Sequence, residues 1–182
     1  YLTTRFYLAL GLCIVLYIVS FFVPEMFVAI NILLLVVTAL TVIDYLFLFV
    51  LGKAPSAKRL AADRFSNGDE NKVELQVKNN MLFTVDMEII DELPVQFQKR
   101  DWKLLHRFKA AGQKNILYKL RPVTRGAYEF GRIIIYVSSL LGLVKRRHNI
   151  EAKETVPVYP SFLQMRKYEL LSQTTIQTEY GN

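Results

Sequence analysis

The chain has 182 residues, 52% of them hydrophobic, and a formal net charge of +7. One Cys rules out a disulfide framework, and His106 and His148 stand in no metal-ligand spacing with Cys, Asp or Glu, which rules out a recognisable zinc or iron site. The charge is unevenly shared: residues 1–52 hold only Arg5 against Glu25 and Asp44, so the basic excess belongs entirely to residues 53–182.

Two apolar runs open the chain. The first, Phe6 to Val23, carries no charge, and its 18 positions would extend roughly 27 Å as a helix. After Pro24 and Glu25, a second run from Met26 to Leu51 is interrupted only by Asp44. Both are apolar on every face, which demands burial in lipid or in a large protein core, and no such core is available here. The expectation is a two-helix transmembrane hairpin over 1–52. Arg5 precedes the first apolar run, Lys53, Lys58, Arg59 and Arg64 come after the second, and the turn between them has no Lys or Arg, so the positive-inside rule puts both ends in the cytoplasm. Asp44, about 27 Å along the second helix from Met26, is expected at the cytoplasmic boundary, in reach of headgroup water.

Gly52 to Ser56 breaks the second helix, and residues 53–57 read as a linker. From Lys58 onward the pattern has a period of two. Val73, Leu75 and Val77 alternate with Glu74, Gln76 and Lys78, and Val85, Met87 and Ile89 alternate with Asp86 and Glu88. Each is a half-buried strand. Turn residues at 66–69 and 79–80 bracket the first of them. The segment from Gln96 to Gly112 reads as a connection between two sheets. Ile116, Tyr118 and Leu120 form another strand, and Ile133 to Val137, apolar on both faces, belongs at the centre of the fold or near its base against another surface. Lys145 to His148 suits an exposed strand. A last strand, Glu154 to Pro160, is expected at a sheet edge because Pro157 cannot donate to a ladder. Six to eight short strands make residues 58–160 an all-β, immunoglobulin-like sandwich.

From Ser161 a capping-box spacing starts a helix, and the polar tail to Asn182 reads as a connection into a further domain. Tyr1 in the place of an initiator Met likewise points to a trimmed chain.

Catalytic patterns are missing. Gly126 and Gly131 have the gap of a phosphate-binding loop, but no Gly-Lys-Ser/Thr comes after them. No nucleophile-elbow motif occurs, and Asp86, Glu88, Asp91 and Glu92 read as a solvated strand face. No cofactor, metal or small-molecule substrate is expected. A basic domain beside a membrane is attracted to anionic lipid. Nucleic acid is not the expected partner, because the aromatic residues fall at strand spacing, as core residues do. The groups open to lipid headgroups or an acidic partner are Lys53, Lys58, Arg59, Arg64, Lys99, Arg100, Lys145, Arg146 and Arg147.

An ordered set of short motifs runs through the chain: Asn67-Gly68-Asp69, Asn79, Asp91-Glu92-Leu93-Pro94, Tyr118-Lys119-Leu120, Arg125-Gly126-x-Tyr128-x-Phe130-Gly131, Leu141-Gly142-Leu143 and Val158-Tyr159-Pro160. This set resembles the bacterial domain-of-unknown-function family 58. The resemblance implies a membrane hairpin, a β-rich domain and then a von Willebrand factor A-like domain, which would lie beyond Asn182, so no metal ligand carries over. It implies a protein of the bacterial cytoplasmic membrane that partners a MoxR-type AAA ATPase in envelope maintenance or complex assembly, with the alternative of an enzyme subunit whose chemistry lies in the next domain. Within the motifs, Gly126 and Gly142 are expected to meet backbone requirements of turns or bulges, Asp91 to cap the loop ahead of Pro94, and Arg125 to pair with Asp91 or a carbonyl, with a partner-binding role for Arg125 as the alternative. Tyr128, Gly131, Tyr159 and Pro160 complete the structural signature.

Overall fold

The computed structural model describes residues 1–99 and 102–160. Arg100 and the helix expected from Ser161 lie outside the described residues. Two apolar helices come first, α1 (Thr4–Ser20) and α2 (Met26–Leu46), and α2 continues into a π turn, Phe47–Leu51. Met26–Leu51 is long and apolar enough to cross a membrane; α1, with 17 residues, is a shorter apolar helix. Neither Gly nor Pro interrupts α2, Pro24 precedes it and Gly52 comes directly after the π turn. Only 6% of its most apolar stretch is covered by protein, which argues against the core helix of a soluble globule. The helices pack together next to their five-residue connection, where the Tyr17 hydroxyl donates to Asn31 Oδ1 at 2.7 Å. The hydroxyls of Thr38 and Thr41 are spent within α2 on the carbonyls of Leu34 and Val37.

The rest is β-rich. Its strands are β1 (Ser56–Leu60), β2 (Phe65–Ser66), β3 (Asn71–Lys78), β4 (Val85–Asp91), β5 (Leu104–Phe108), β6 (Gln113–Leu120), β7 (Gly126–Phe130), β8 (Ile133–Ser138), β9 (Lys145–Ile150) and β10 (Glu154–Tyr159). They form three sheets in the orders β1-β3-β6, β2-β10-β7 and β5-β4-β8-β9. Alternation sets the register: Val73, Leu75 and Val77 of β3 and Val85, Met87 and Ile89 of β4 are all buried. They join Tyr118, Tyr128, Ile133 and Ile135 in one core drawn from all three sheets. Apolar on both faces, β8 is an inner strand between β4 and β9 as expected, and β9 is the edge strand that its charges suit.

Three expectations change. The segment 96–112 does lead from one sheet to another, but it also contains β5, paired antiparallel with β4 from Val85↔Phe108 to Ile89↔Leu104. The expected linker is cut short, since β1 begins at Ser56 and pairs with β3. The Pro157 strand is not an edge: β10 lies between β2 and β7. The proline is tolerated because β2 is only two residues long and pairs only with Val158 and Tyr159, leaving no ladder beside Pro157 on the side away from β7.

Candidate functional site

Every strand end that faces α2 belongs to one end of the β-rich domain. The register aligns Ser56 with Lys78 and Gln113, and Asp86 with Ser138 and Lys145. Four short connections therefore converge there: 52–55, 79–84, 109–112 and 139–144.

Asp44 is the centre of this junction. Far from reaching headgroup water, it is wholly buried. Its Oδ2 accepts the backbone N–H groups of Leu143 at 2.8 Å and Val144 at 2.9 Å, and its Oδ1 accepts the hydroxyl of Ser139. Ser139 Oγ in turn accepts the N–H of Leu141 at 3.1 Å. One helical carboxylate thus accepts two backbone N–H groups and a hydroxyl of the β8–β9 turn, and Ser139 takes the Leu141 N–H, the solution required when an acid is taken out of water. Gly142 adopts φ +64°, in the region that favours glycine, as the turn expectation requires. The start of α1 grips the same turn. Thr3 Oγ1 donates to the Gly142 carbonyl at 2.6 Å and the Thr3 N–H to the Leu143 carbonyl at 3.0 Å.

Beyond Asp44, the Arg146 guanidinium donates to the carbonyls of Leu48, in the π turn, at 2.8 Å and of Gly52, directly after it, at 3.2 Å. Leu48 is fully buried within the domain core, and the ring of Phe47 meets that of Phe83 edge-on at 5.6 Å. The 79–84 connection is held by Asn79, whose amide donates to the carbonyls of Phe83 and Lys109 and whose Oδ1 accepts the N–H of Met81.

Between the start of α1 and the β4–β5–β8 surface lies a cleft of about 790 Å³, lined by Thr3, Arg5, Asp86, His106 and Lys145 among others. Arg107 hydrogen-bonds Asp86, and Lys145 together with Lys103 engages Glu88, so both carboxyls lie below their usual range. Among the described residues no carboxylate hydrogen-bonds His106, and no three His, Cys, Asp or Glu side chains come together as metal ligands.

A second polar centre lies within the core. Arg59 was expected at the surface; its side chain is 1% exposed and pairs with Asp91, itself 0% exposed. The guanidinium also donates to the carbonyls of Ala152 at 2.6 Å and Gly131 at 3.2 Å, and lies over the ring of Phe130 at 4.6 Å. The Tyr118 hydroxyl donates to Asp91 Oδ2. Asp91 is therefore neither a loop cap nor part of a solvated face, and its cation is Arg59, not the exposed Arg125. The sequence did carry a signal: Asp91 continues the buried parity of Val85, Met87 and Ile89. Burial, then the neighbouring Asp91 charge, pushes the Tyr118 phenol well above its usual range. A group held protonated in the fold contributes stability below its unfolded value and loses it as pH rises. Wild-type stability should therefore fall more steeply above pH 10.0, the ordinary phenol value, than that of Tyr118→Phe, when unfolding is measured across that range.

The remaining expected contacts scatter. Lys53 is exposed at the junction, and Lys58 is exposed within β1. Lys145 is half-buried against Glu88, and Arg146 is half-buried and committed to the π turn, so it is not the free surface cation expected. Arg147 is exposed over Tyr136. Arg64 and Lys99 are exposed but lie past the far ends of β1 and β4, roughly 15–20 Å from the junction at ordinary strand rise. Arg125, exposed, and the Gly126 turn (φ +137°) also belong to the far end, as do Tyr159 and Pro160, both exposed, and buried Pro94. Tyr128 is buried, its hydroxyl donating to the Thr124 carbonyl at 3.0 Å, and Gly131 packs against Glu92. Beside Lys53, two cations that the sequence reading does not single out, Lys78 and Lys109, crown the junction; each flanks a turn that the strand register brings to this end.

No protein-family model matches the chain, and no curated protein matches it. Among solved structures it is similar to the CARDB domain of a Pyrococcus furiosus protein in complex with di-metal ions, at 15% identity over 61% of this chain and 97% of that one, with a TM-score of 0.43. It is also similar to an ASH / PapD-like domain of human CEP192, at 10% identity over 58% and 86% of the two chains, TM-score 0.41, and to a β-glucosidase from Listeria innocua, at 12% identity over 59% and 16%, TM-score 0.34.

Proposed function

We propose that this protein is a non-catalytic, membrane-anchored platform: α1 and α2 form a hairpin in the bacterial cytoplasmic membrane, and the β-rich domain is an immunoglobulin-like sandwich held at the cytoplasmic face to receive protein partners. The observation that carries this reading is the buried Asp44 junction. A flexible tether would need only a linker, whereas here a carboxylate, Thr3 and Arg146 fasten both helices to the domain, so that its orientation to the helices is defined. The distribution of Arg5 and Lys53 about the helices supports the cytoplasmic placement. The Tyr128 hydroxyl reaching back to the Thr124 carbonyl has the hydrogen-bond pattern of a tyrosine corner, which supports the sandwich. The motif resemblance to domain-of-unknown-function family 58 names the partner, a MoxR-type AAA ATPase.

The test is co-purification of the full protein, in detergent or nanodiscs, with the MoxR-type ATPase of the same cell. The expected result is retention of the ATPase by the full protein, and not by its helices alone. An ATPase that passes through unbound, together with divalent-ion-dependent turnover by the full protein itself, would replace the platform with an enzyme subunit.

A further inference from the structure

Leu140 and Leu141, at the tip of the turn bound by Asp44, are 61% and 42% exposed, and Leu82, in the neighbouring 79–84 connection, is 86% exposed. Turns are ordinarily polar, and these leucines do not fold back onto the core. They are held outward, because Ser139 Oγ and the Asp44 carboxylate rigidify the first turn and the Asn79 side chain the second.

The depth of these turns is set by the helices that hold them. Asp44 lies about 27 Å from Met26 along α2, against a hydrocarbon thickness of roughly 30 Å. From the other side, the 17 residues of α1 cover about 25 Å before Thr3 meets Gly142 and Leu143. Two independent measures therefore put the 139–144 turn at the same level, within a few ångströms of the inner edge of the hydrocarbon. The apolar surface does not stop there: Val50 and Leu51, further along the π turn, are 68% and 63% exposed. The leucine turns are thus flanked on both sides along the helix axis by exposed apolar surface. Around them the domain end carries the exposed cations Lys53, Lys78 and Lys109, set to meet anionic headgroups.

We infer that the β-rich domain is itself a membrane-inserting element: Leu82, Leu140 and Leu141 dip into the interfacial layer of the leaflet in which α2 ends, inside a collar of lysines that contacts anionic lipid. This rests on the membrane placement of the helices proposed above and adds a second, independent attachment, which fixes the tilt of the domain.

The experiment uses the full protein in a Cys13→Ser background, reconstituted in phosphatidylethanolamine/phosphatidylglycerol bilayers. Single cysteines replace Leu140, Leu141 or Leu82 and carry an environment-sensitive fluorophore. Val36→Cys in α2 and Leu117→Cys on β6 serve as lipid and water references. The three turn sites should show blue-shifted emission, quenching by lipids brominated near the headgroup end of the chain, and severalfold weaker iodide quenching than the Leu117 site. Turn sites that behave like the Leu117 site while the Val36 site remains in lipid overturn the inference and leave the anchor standing. A Val36 site quenched by iodide overturns both.

Discussion

Replacing Asp91 by Ala should destabilise the β-rich domain by about 3–5 kcal/mol, the cost of leaving one member of a buried ion pair without its partner. The magnitude reflects the groups that would remain. Arg59 would keep the carbonyls of Ala152 and Gly131 and the face of Phe130, but no negative charge, and the Tyr118 hydroxyl would lose its acceptor. Neither group can turn to water, since both are buried. Arg59→Met should cost a similar amount, by stranding the carboxylate. The combined Arg59→Met, Asp91→Leu chain should recover most of the loss, because hydrophobic replacement of a whole buried pair is often neutral or better. Denaturant unfolding of the three variants measures this cycle, and additive losses would show that the two residues act separately. The centre joins β1, β4 and β6 with the turns before β8 and β10, and so it holds the three sheets in one arrangement.

Asp44→Ala should produce the second large effect, and of a different kind. The substitution leaves the N–H groups of Leu143 and Val144 and the hydroxyl of Ser139 buried without acceptors, at about 1–3 kcal/mol for each stranded donor. That loss falls on the junction and not on the strands of the core. The expected result is a β-rich domain that still unfolds cooperatively, with amide exchange at Leu143 and Val144 accelerated by orders of magnitude and the 139–144 turn released from the helix. Asp44→Asn, which keeps one carbonyl oxygen, should be intermediate. Unchanged exchange at these two amides would mean that Arg146, Thr3 and buried Leu48 suffice to fix the junction.

The two predictions separate the kinds of information in the chain. Alternation along β3 and β4 and the unbroken apolar run of β8 were sufficient to give strands, their buried faces and the inner position of β8, because a period of two is a local property and burial accompanies it directly. The same parity marks Asp91 as buried, yet no local pattern indicates that its cation is Arg59. Partner identity is a long-range fact, decided when β1 and β4 are brought together in different sheets. Asp44 is similar: its place at the end of an apolar helix was legible, but its acceptance of two backbone N–H groups about a hundred residues away depended on how the β8–β9 turn meets α2.

Charge was the least legible quantity. A sequence shows how many cations come after the helices, and the register decides which end of the domain each one occupies; hence Lys78 and Lys109 belong to the junction and Arg64 and Lys99 do not. Pro157 makes the same point for hydrogen bonding, since its place on an inner strand, between β2 and β7, was allowed only by the shortness of β2. By itself the sequence determined an apolar helical start, a basic β-rich remainder and the inward face of its main strands, all consequences of hydrophobic periodicity. Only the tertiary structure decided which polar groups are paired, because a buried charge is satisfied by geometry that no neighbour in the chain supplies.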